Sequence, residues 1–137
     1  MFLLDTVTIS ELRRGPRANP GLAAWDASVR NRDKYISVVT LHELEVGTLR
    51  LERRDPIQGQ ALRTWLDQLA GVAFAGRILD LRQPAARLAA AVHVPDPAPV
   101  LDSLIGATAA VYGLTLVTRN EADFTRFPGL TVLDPWT

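Results

Sequence analysis

The stretch from Leu101 to Phe124 limits what this chain can fold into more than any other. Leu104, Ile105, Thr108, Ala109 and Tyr112 recur at helical spacing and predict one apolar helix face, with Asp102 at the helix start. Gly113 supplies the stop that helices commonly end on. Leu114 to Val117 is a short apolar, partly β-branched run between Gly113 and the Thr118-Arg119-Asn120 turn, the pattern of a strand buried on both faces. The Asn120-Glu121-Ala122-Asp123 segment then opens another short helix.

The rest of the chain repeats this logic. Phe2-Leu3-Leu4 ends in Asp5-Thr6, as a central parallel strand with an acid at its carboxyl end would. Ile9 and Leu12 predict a short helix ending near Gly15-Pro16, and Asn19-Pro20 starts the next, with Leu22, Trp25 and Val29 on one face. Tyr35 to Val39 is the second strand; Thr40 is then expected to cap a helix carrying Leu41, Leu44, Thr48 and Leu51 inward, broken at Arg53-Arg54-Asp55-Pro56. Ile57, Ala61, Trp65 and Leu69, with Leu62 and Leu66, form the most periodic helix. These two helices are expected to make a hairpin with the charges from Arg50 to Asp55 at its exposed tip. Arg77 to Leu81 is a third strand, Pro84 opens a helix with Leu88 and Val92, and the prolines at 95, 97 and 99 predict a stiff extended loop. Leu130 to Leu133 is the last strand. Strands separated by helices predict a three-layer α/β/α fold with a mainly parallel central sheet, and residues 1–137 are expected to form one domain.

Composition narrows the chemistry. With no cysteine, neither a disulfide framework nor a thiolate metal site is open to the chain, and His42 and His93 are too few and too scattered for a zinc site. Any metal would be held by oxygen. The opening Met-Phe-Leu-Leu is cut off by Asp5 and no run approaches membrane-spanning length, so neither a secretory signal nor a membrane contact is expected, and the expected location is cytoplasmic. A net charge of zero argues against nucleic-acid binding through bulk positive charge.

In parallel sheets, ligands sit beyond the carboxyl ends of the strands. Asp5 closes the first strand, Glu43 follows the second, Asp102 opens the helix before the fourth, and Asn120 and Asp123 follow the fourth. All are expected at one edge. Singly, each has a plainer role: Thr40-Leu41-His42-Glu43 matches a capping box, and Asp102 and the Asn120–Asp123 segment look like helix caps. Jointly, clustered carboxylates repel unless some are protonated or a cation neutralises them. Mg²⁺, or Mn²⁺, is the ion that suits an all-oxygen site. Such an ion activates water for attack on a phosphodiester, which is nuclease chemistry.

Asp102-Ser-Leu-Ile-Gly-Ala-Thr-Ala and Leu114-Thr-Leu-Val-Thr-Arg-Asn-Glu-Ala-Asp-Phe resemble the C-terminal signature of PIN-domain nucleases, most closely the VapC toxins, FitB-like members included. Leu3-Leu4-Asp5-Thr6, the segment from Ser37 to Leu44 with Gly47, and Val132-Leu133-Asp134-Pro135-Trp136 extend the resemblance in order over essentially the whole chain. The resemblance implies a Mg²⁺-dependent endoribonuclease, with metal on Asp5 and Asp102, Glu43 orienting the attacking water, and Asn120 and Asp123 completing the acidic pocket. Glu11 and Glu45 are second-tier candidates, Glu45 being expected to face solvent. It also implies an RNA substrate, a VapB-like antitoxin that blocks the enzyme, and a homodimer or toxin–antitoxin hetero-oligomer. One departure stands out: the family usually places Asn after Asp-Thr, where this chain has Val7, leaving Thr6 or Thr8 to orient Asp5. That departure supports a second reading, an inactive PIN-fold module acting with its antitoxin as a DNA-binding repressor. A receiver-type signalling domain would need a lysine after a late strand, and the only lysine is Lys34. Arg119 is assigned to substrate phosphate or to the turn, and the three tryptophans to packing.

Overall fold

The fold is that of a computed structural model describing residues 1–137. Five strands, β1 (Phe2–Leu4), β2 (Lys34–Ser37), β3 (Ile78–Leu79), β4 (Thr115–Val117) and β5 (Val132–Leu133), form one sheet in the order β3-β2-β1-β4-β5. All four pairings are parallel; Leu3 lies opposite Tyr35 on one side and Leu116 on the other. The chain builds outward from β1 to β3, then returns to place β4 and β5 on the other side of β1.

Alternation along the central strands divides the core in two. Leu3 and Leu116 face a cluster with Ala85, Ala89, Ile105 and Phe124, beneath α5 (Gln83–Ala91) and α6 (Val100–Tyr112). Leu4 and Val117 point the opposite way, to Ile9, Ile36, Leu66 and Phe74. That second face is covered by α1 (Thr6–Leu12), α2 (Pro20–Ser28), α3 (Val38–Arg54) and α4 (Pro56–Gln68). Successive strand residues must face opposite sides, so both faces need a helical layer. No helix is long and apolar enough to cross a membrane.

Several expected boundaries hold, but β3 covers only Ile78–Leu79 rather than Arg77 to Leu81, β5 only Val132–Leu133 rather than Leu130 to Leu133, and the start of α3 moves. Asn19 caps α2 by accepting from the Leu22 N–H at 3.2 Å. Gly113 ends α6 in the left-handed region (φ 69°), and its N–H and that of Leu114 reach the Ala110 and Ala109 carbonyls at 3.3 and 2.9 Å. The chain therefore turns straight into β4. The second strand, however, stops at Ser37 rather than Val39. Ser37 Oγ accepts from the Thr40 N–H at 3.1 Å, so Ser37 is the cap and the β-branched pair Val38-Val39 is drawn into the first turn of α3. Thr40 is thus not the cap it was expected to be.

The α3–α4 hairpin forms as expected, with Asp55 closing α3 and capping α4 through the Gln58 N–H at 3.2 Å. Along α4 and the turn that follows it, Leu66 and Leu69 are in the core, while Ile57 in the first turn is 83% exposed. Arg50, Arg53 and Arg54 do lie exposed at the tip. Glu52 does not remain free there, because it pairs with Arg63 of α4.

Candidate active site

Each acidic residue reaches the carboxyl edge of the sheet from a different element. Asp5 follows β1 directly and is 5% exposed. Its Oδ1 accepts from the Thr8 N–H at 2.9 Å, which caps α1, and its other oxygen makes no hydrogen bond to the protein. The backbone thus orients Asp5 without the side chain that the family usually supplies at position 7. Val7 is 45% exposed and takes no part.

Glu43 lies in the second turn of α3, a consequence of the earlier helix start at Ser37. The capping-box role is therefore closed to it. Its Oε1 instead accepts from the Thr6 hydroxyl at 2.7 Å. Thr6 and Thr40 hydroxyls are 3.1 Å apart. A hydroxyl has one proton, and the carboxylate is the stronger acceptor, so Thr40 donates to Thr6 and Thr6 to Glu43. Of the two threonines expected to orient Asp5, Thr8 does so through its backbone N–H, whereas Thr6 holds Glu43.

Asp102 sits in the first turn of α6, whose cap position is Pro99 and has no side-chain capping bond. The cap explanation for Asp102 fails with it. The loop delivering Asp102 is pinned by His93: Nδ1 accepts from the Ala98 N–H at 3.1 Å, which leaves Nε2 protonated and 3.1 Å from Ser103 Oγ. After β4, buried Thr118 accepts from the Asn120 N–H at 3.1 Å and fixes the turn. Neither Asn120 nor Asp123 caps the short Glu121–Phe124 turn through its side chain, and both are exposed. The segment is held onto α6 by close packing at Gly106, where a Cβ would come within 2.9 Å of the Phe124 and Phe127 rings.

These separate elements produce one electrostatic result. The Asp102 carboxyl is held above its ordinary range, first by burial and then by the charges of Glu43, Asp123 and Asp5. Those acids and Asp102 therefore share one field, while Asn120 stands on the adjacent exposed turn. No three acidic or imidazole groups are drawn tightly enough together to ligate one ion directly. The donor set still fits Mg²⁺, which takes oxygen ligands, uses one or two carboxylates and keeps several waters.

Other candidates are occupied elsewhere. Glu11 accepts from the Asn19 N–H at 2.8 Å and pairs with Arg14 at 3.1 Å. Glu45, expected to face solvent, is half-buried and pairs with Arg63 at 2.6 Å. Lys34 lies at the amino end of β2, away from the acids, so the receiver-type site has no lysine. The Arg119 guanidinium lies 4.9 Å from the centre of the Trp136 ring, a contact that links the turn after β4 to the C-terminal segment. Thr6 is the participant whose actual partner escaped the sequence, since it and Glu43 are 37 positions apart.

The PIN domain model matches residues 2–130. The chain is 34% identical over 142 aligned positions to the toxin FitB of Neisseria gonorrhoeae, a match covering 99% of each protein. It is 41% identical over 66 residues to ribonuclease VapC14 of Mycobacterium tuberculosis, covering 48% of this chain and 63% of that one. The solved structure of FitAB bound to a DNA fragment superposes with a TM-score of 0.86 at 30% identity, over 100% of this chain and 96% of the matched one. The chain belongs to the PIN-domain family and, within it, to the VapC-type, FitB-like toxins.

Proposed function

We propose that this protein is a Mg²⁺-dependent endoribonuclease toxin inhibited by a cognate antitoxin. The observation that carries the reading is the meeting of acids from four segments at one edge of the sheet, where Asp102 is held above its ordinary range first by burial and then by Glu43, Asp123 and Asp5. Holding like charges close together costs folding energy, and none of the acids in that cluster is neutralised by a basic side chain. Such a cluster is retained for what a cation and substrate do there.

In this reading Asp5 and Asp102 hold the ion, Asp5 through the oxygen that the Thr8 N–H leaves free. The ion supplies Lewis acidity toward a phosphodiester and lowers the pKa of bound water. Glu43, held by Thr6, would orient the attacking water and take one of its protons; as the water oxygen bonded to phosphorus, the P–O bond to the leaving nucleotide would break and its oxygen would take up a proton from solvent. Asp123 adds negative charge at the mouth of the pocket, where it already acts on Asp102, and Asn120 flanks it. The alternative of a catalytically silent repressor module rests on Val7; the Thr8 N–H that orients Asp5 where that side chain is missing supports the active reading.

The complexes of similar proteins support the partners. FitAB was solved on DNA, and VapBC of Salmonella typhimurium likewise. We infer that this chain pairs with a small antitoxin, that the pair assembles into dimers or larger hetero-oligomers, and that it acts on RNA in the cytoplasm. The test is incubation of antitoxin-free protein with total cellular RNA in Mg²⁺, in EDTA, and as Asp102→Asn. Discrete cuts that require both Mg²⁺ and Asp102 are expected; equal inertness of correctly folded wild type and variant would overturn the reading.

A further inference from the structure

Glu43 shares a helix face with residues that the acidic cluster does not use. Val46, Gly47 and Arg50 follow it at the spacings that bring side chains to one side of a helix, with Arg50 about 10 Å further along the axis. This face borders a cleft of about 400 Å³, closed opposite by Leu101, the neighbour of Asp102. The cleft therefore opens directly onto the candidate active site.

Two of its residues are explained by neither packing nor ion pairing. A Cβ at Gly47 would meet nothing within 4 Å, so packing does not require glycine there. Glycine is also a poor helix former, and Gly47 lies in the interior of α3. What its bare backbone does is leave the floor of the cleft open. Arg50 is exposed and forms no ion pair, in contrast to Arg63 on the facing helix, which Glu45 and Glu52 both engage. An uncommitted guanidinium beside a phosphodiester-cleaving site matches a phosphate in geometry and charge. The groove on the other side of α3, lined by Val38, Leu41, Leu66 and Ala70 among others, is more apolar and has no arginine.

We propose that the cleft over Gly47 seats the nucleotide flanking the cleaved phosphodiester of a single-stranded RNA, with Arg50 on its phosphate. This rests on the nuclease reading and adds a substrate subsite to it. A net-neutral protein needs local contacts of this kind, because it has no general positive field to hold RNA.

The test measures binding of a fluorescein-labelled, mixed-sequence single-stranded RNA by anisotropy across a salt series, with Asp102→Asn protein to keep the RNA intact. Arg50→Ala is expected to weaken binding about tenfold and to flatten the log–log salt slope by about 0.7, the signature of one lost phosphate contact. Gly47→Gln is expected to weaken binding without changing that slope, while its melting temperature stays the same or rises. Arg32→Ala, at the far edge of the fold, is expected to change neither. If Arg50→Ala and Gly47→Gln bind RNA as Arg32→Ala does, while protein with Asp102 intact cuts RNA, the subsite is overturned and the nuclease reading stands. If both variants lose a protein partner and keep RNA, the cleft belongs to that partner and the proposal is likewise overturned. If protein with Asp102 intact does not cut RNA, the nuclease reading fails and takes the subsite with it.

Discussion

Lys34, buried, and Asp102, half-buried, lie at opposite edges of the same sheet, and the fold treats them in opposite ways. Lys34, at the amino end of β2, is 4% exposed and fully partnered: its ammonium meets Asp26 Oδ1 at 2.6 Å, the Asp26 carbonyl at 2.9 Å and Asn31 Oδ1 at 3.0 Å. Asp102, near the carboxyl ends of β1 and β4, is surrounded by charges of its own sign. The first cluster lowers the energy of the native state. The second raises it, which is how a binding site differs from a structural ion pair in free energy.

The comparison breaks most visibly at Lys34. Lys34→Ala removes a buried cation and its aliphatic stem from the wall of a cavity of about 210 Å³, and should destabilise the protein by about 2 kcal/mol. The loss stays below the usual cost of breaking a buried pair because Asp26 keeps 36% of its side chain in water. Urea unfolding checks it, and Lys34→Met, which keeps the stem, separates packing from pairing. A loss near zero would mean that the amino-end cluster is not structural.

Thr6→Val has a smaller effect on folding and a larger one on turnover. It keeps the shape, removes the 2.7 Å bond to Glu43, and should change stability by about 1 kcal/mol or less. RNA cleavage should fall by about tenfold or more, in kcat with KM retained, as for loss of a group that orients an active-site ligand. Thr6→Ser should restore it. A Thr6→Val enzyme with unchanged kcat would remove Thr6 from the site.

How far the sequence revealed these two ends depends on the distance over which each signal acts. Local chemistry was legible: the Asn19-Pro20 start, the Gly113 stop and the acid directly after β1 are each set by neighbouring residues. The start of α3 was misplaced because Val38-Val39 suits a strand, and the nearby Ser37 and Thr40 are both good caps. Only the geometry distinguishes them, and with them Glu43 changes from a cap into a free carboxylate held by Thr6. Contacts between distant segments left no local trace, as with Arg63 bridging Glu45 and Glu52, or Arg119 stacking on Trp136. The convergence of the acids was legible in outline, because every one of them follows a strand or opens a helix on the same edge of a parallel sheet.

The repulsion at Asp102 has a sign that can be measured. Its carboxyl is raised above the ordinary value of 3.8, so the protonated form is favoured in the native state. The native state is therefore relatively favoured below that pH and loses stability as pH rises through the raised value. The most direct measurement is the melting temperature of wild type and Asp102→Asn at neutral pH, with and without Mg²⁺. Without metal, Asp102→Asn should melt a few degrees above wild type, and the gap should close as pH falls toward 3.8. With Mg²⁺, wild type should rise and the variant should not. A variant that melts below wild type, or two proteins that respond to Mg²⁺ alike, would contradict the claim that the acids are held together at a cost that a cation relieves.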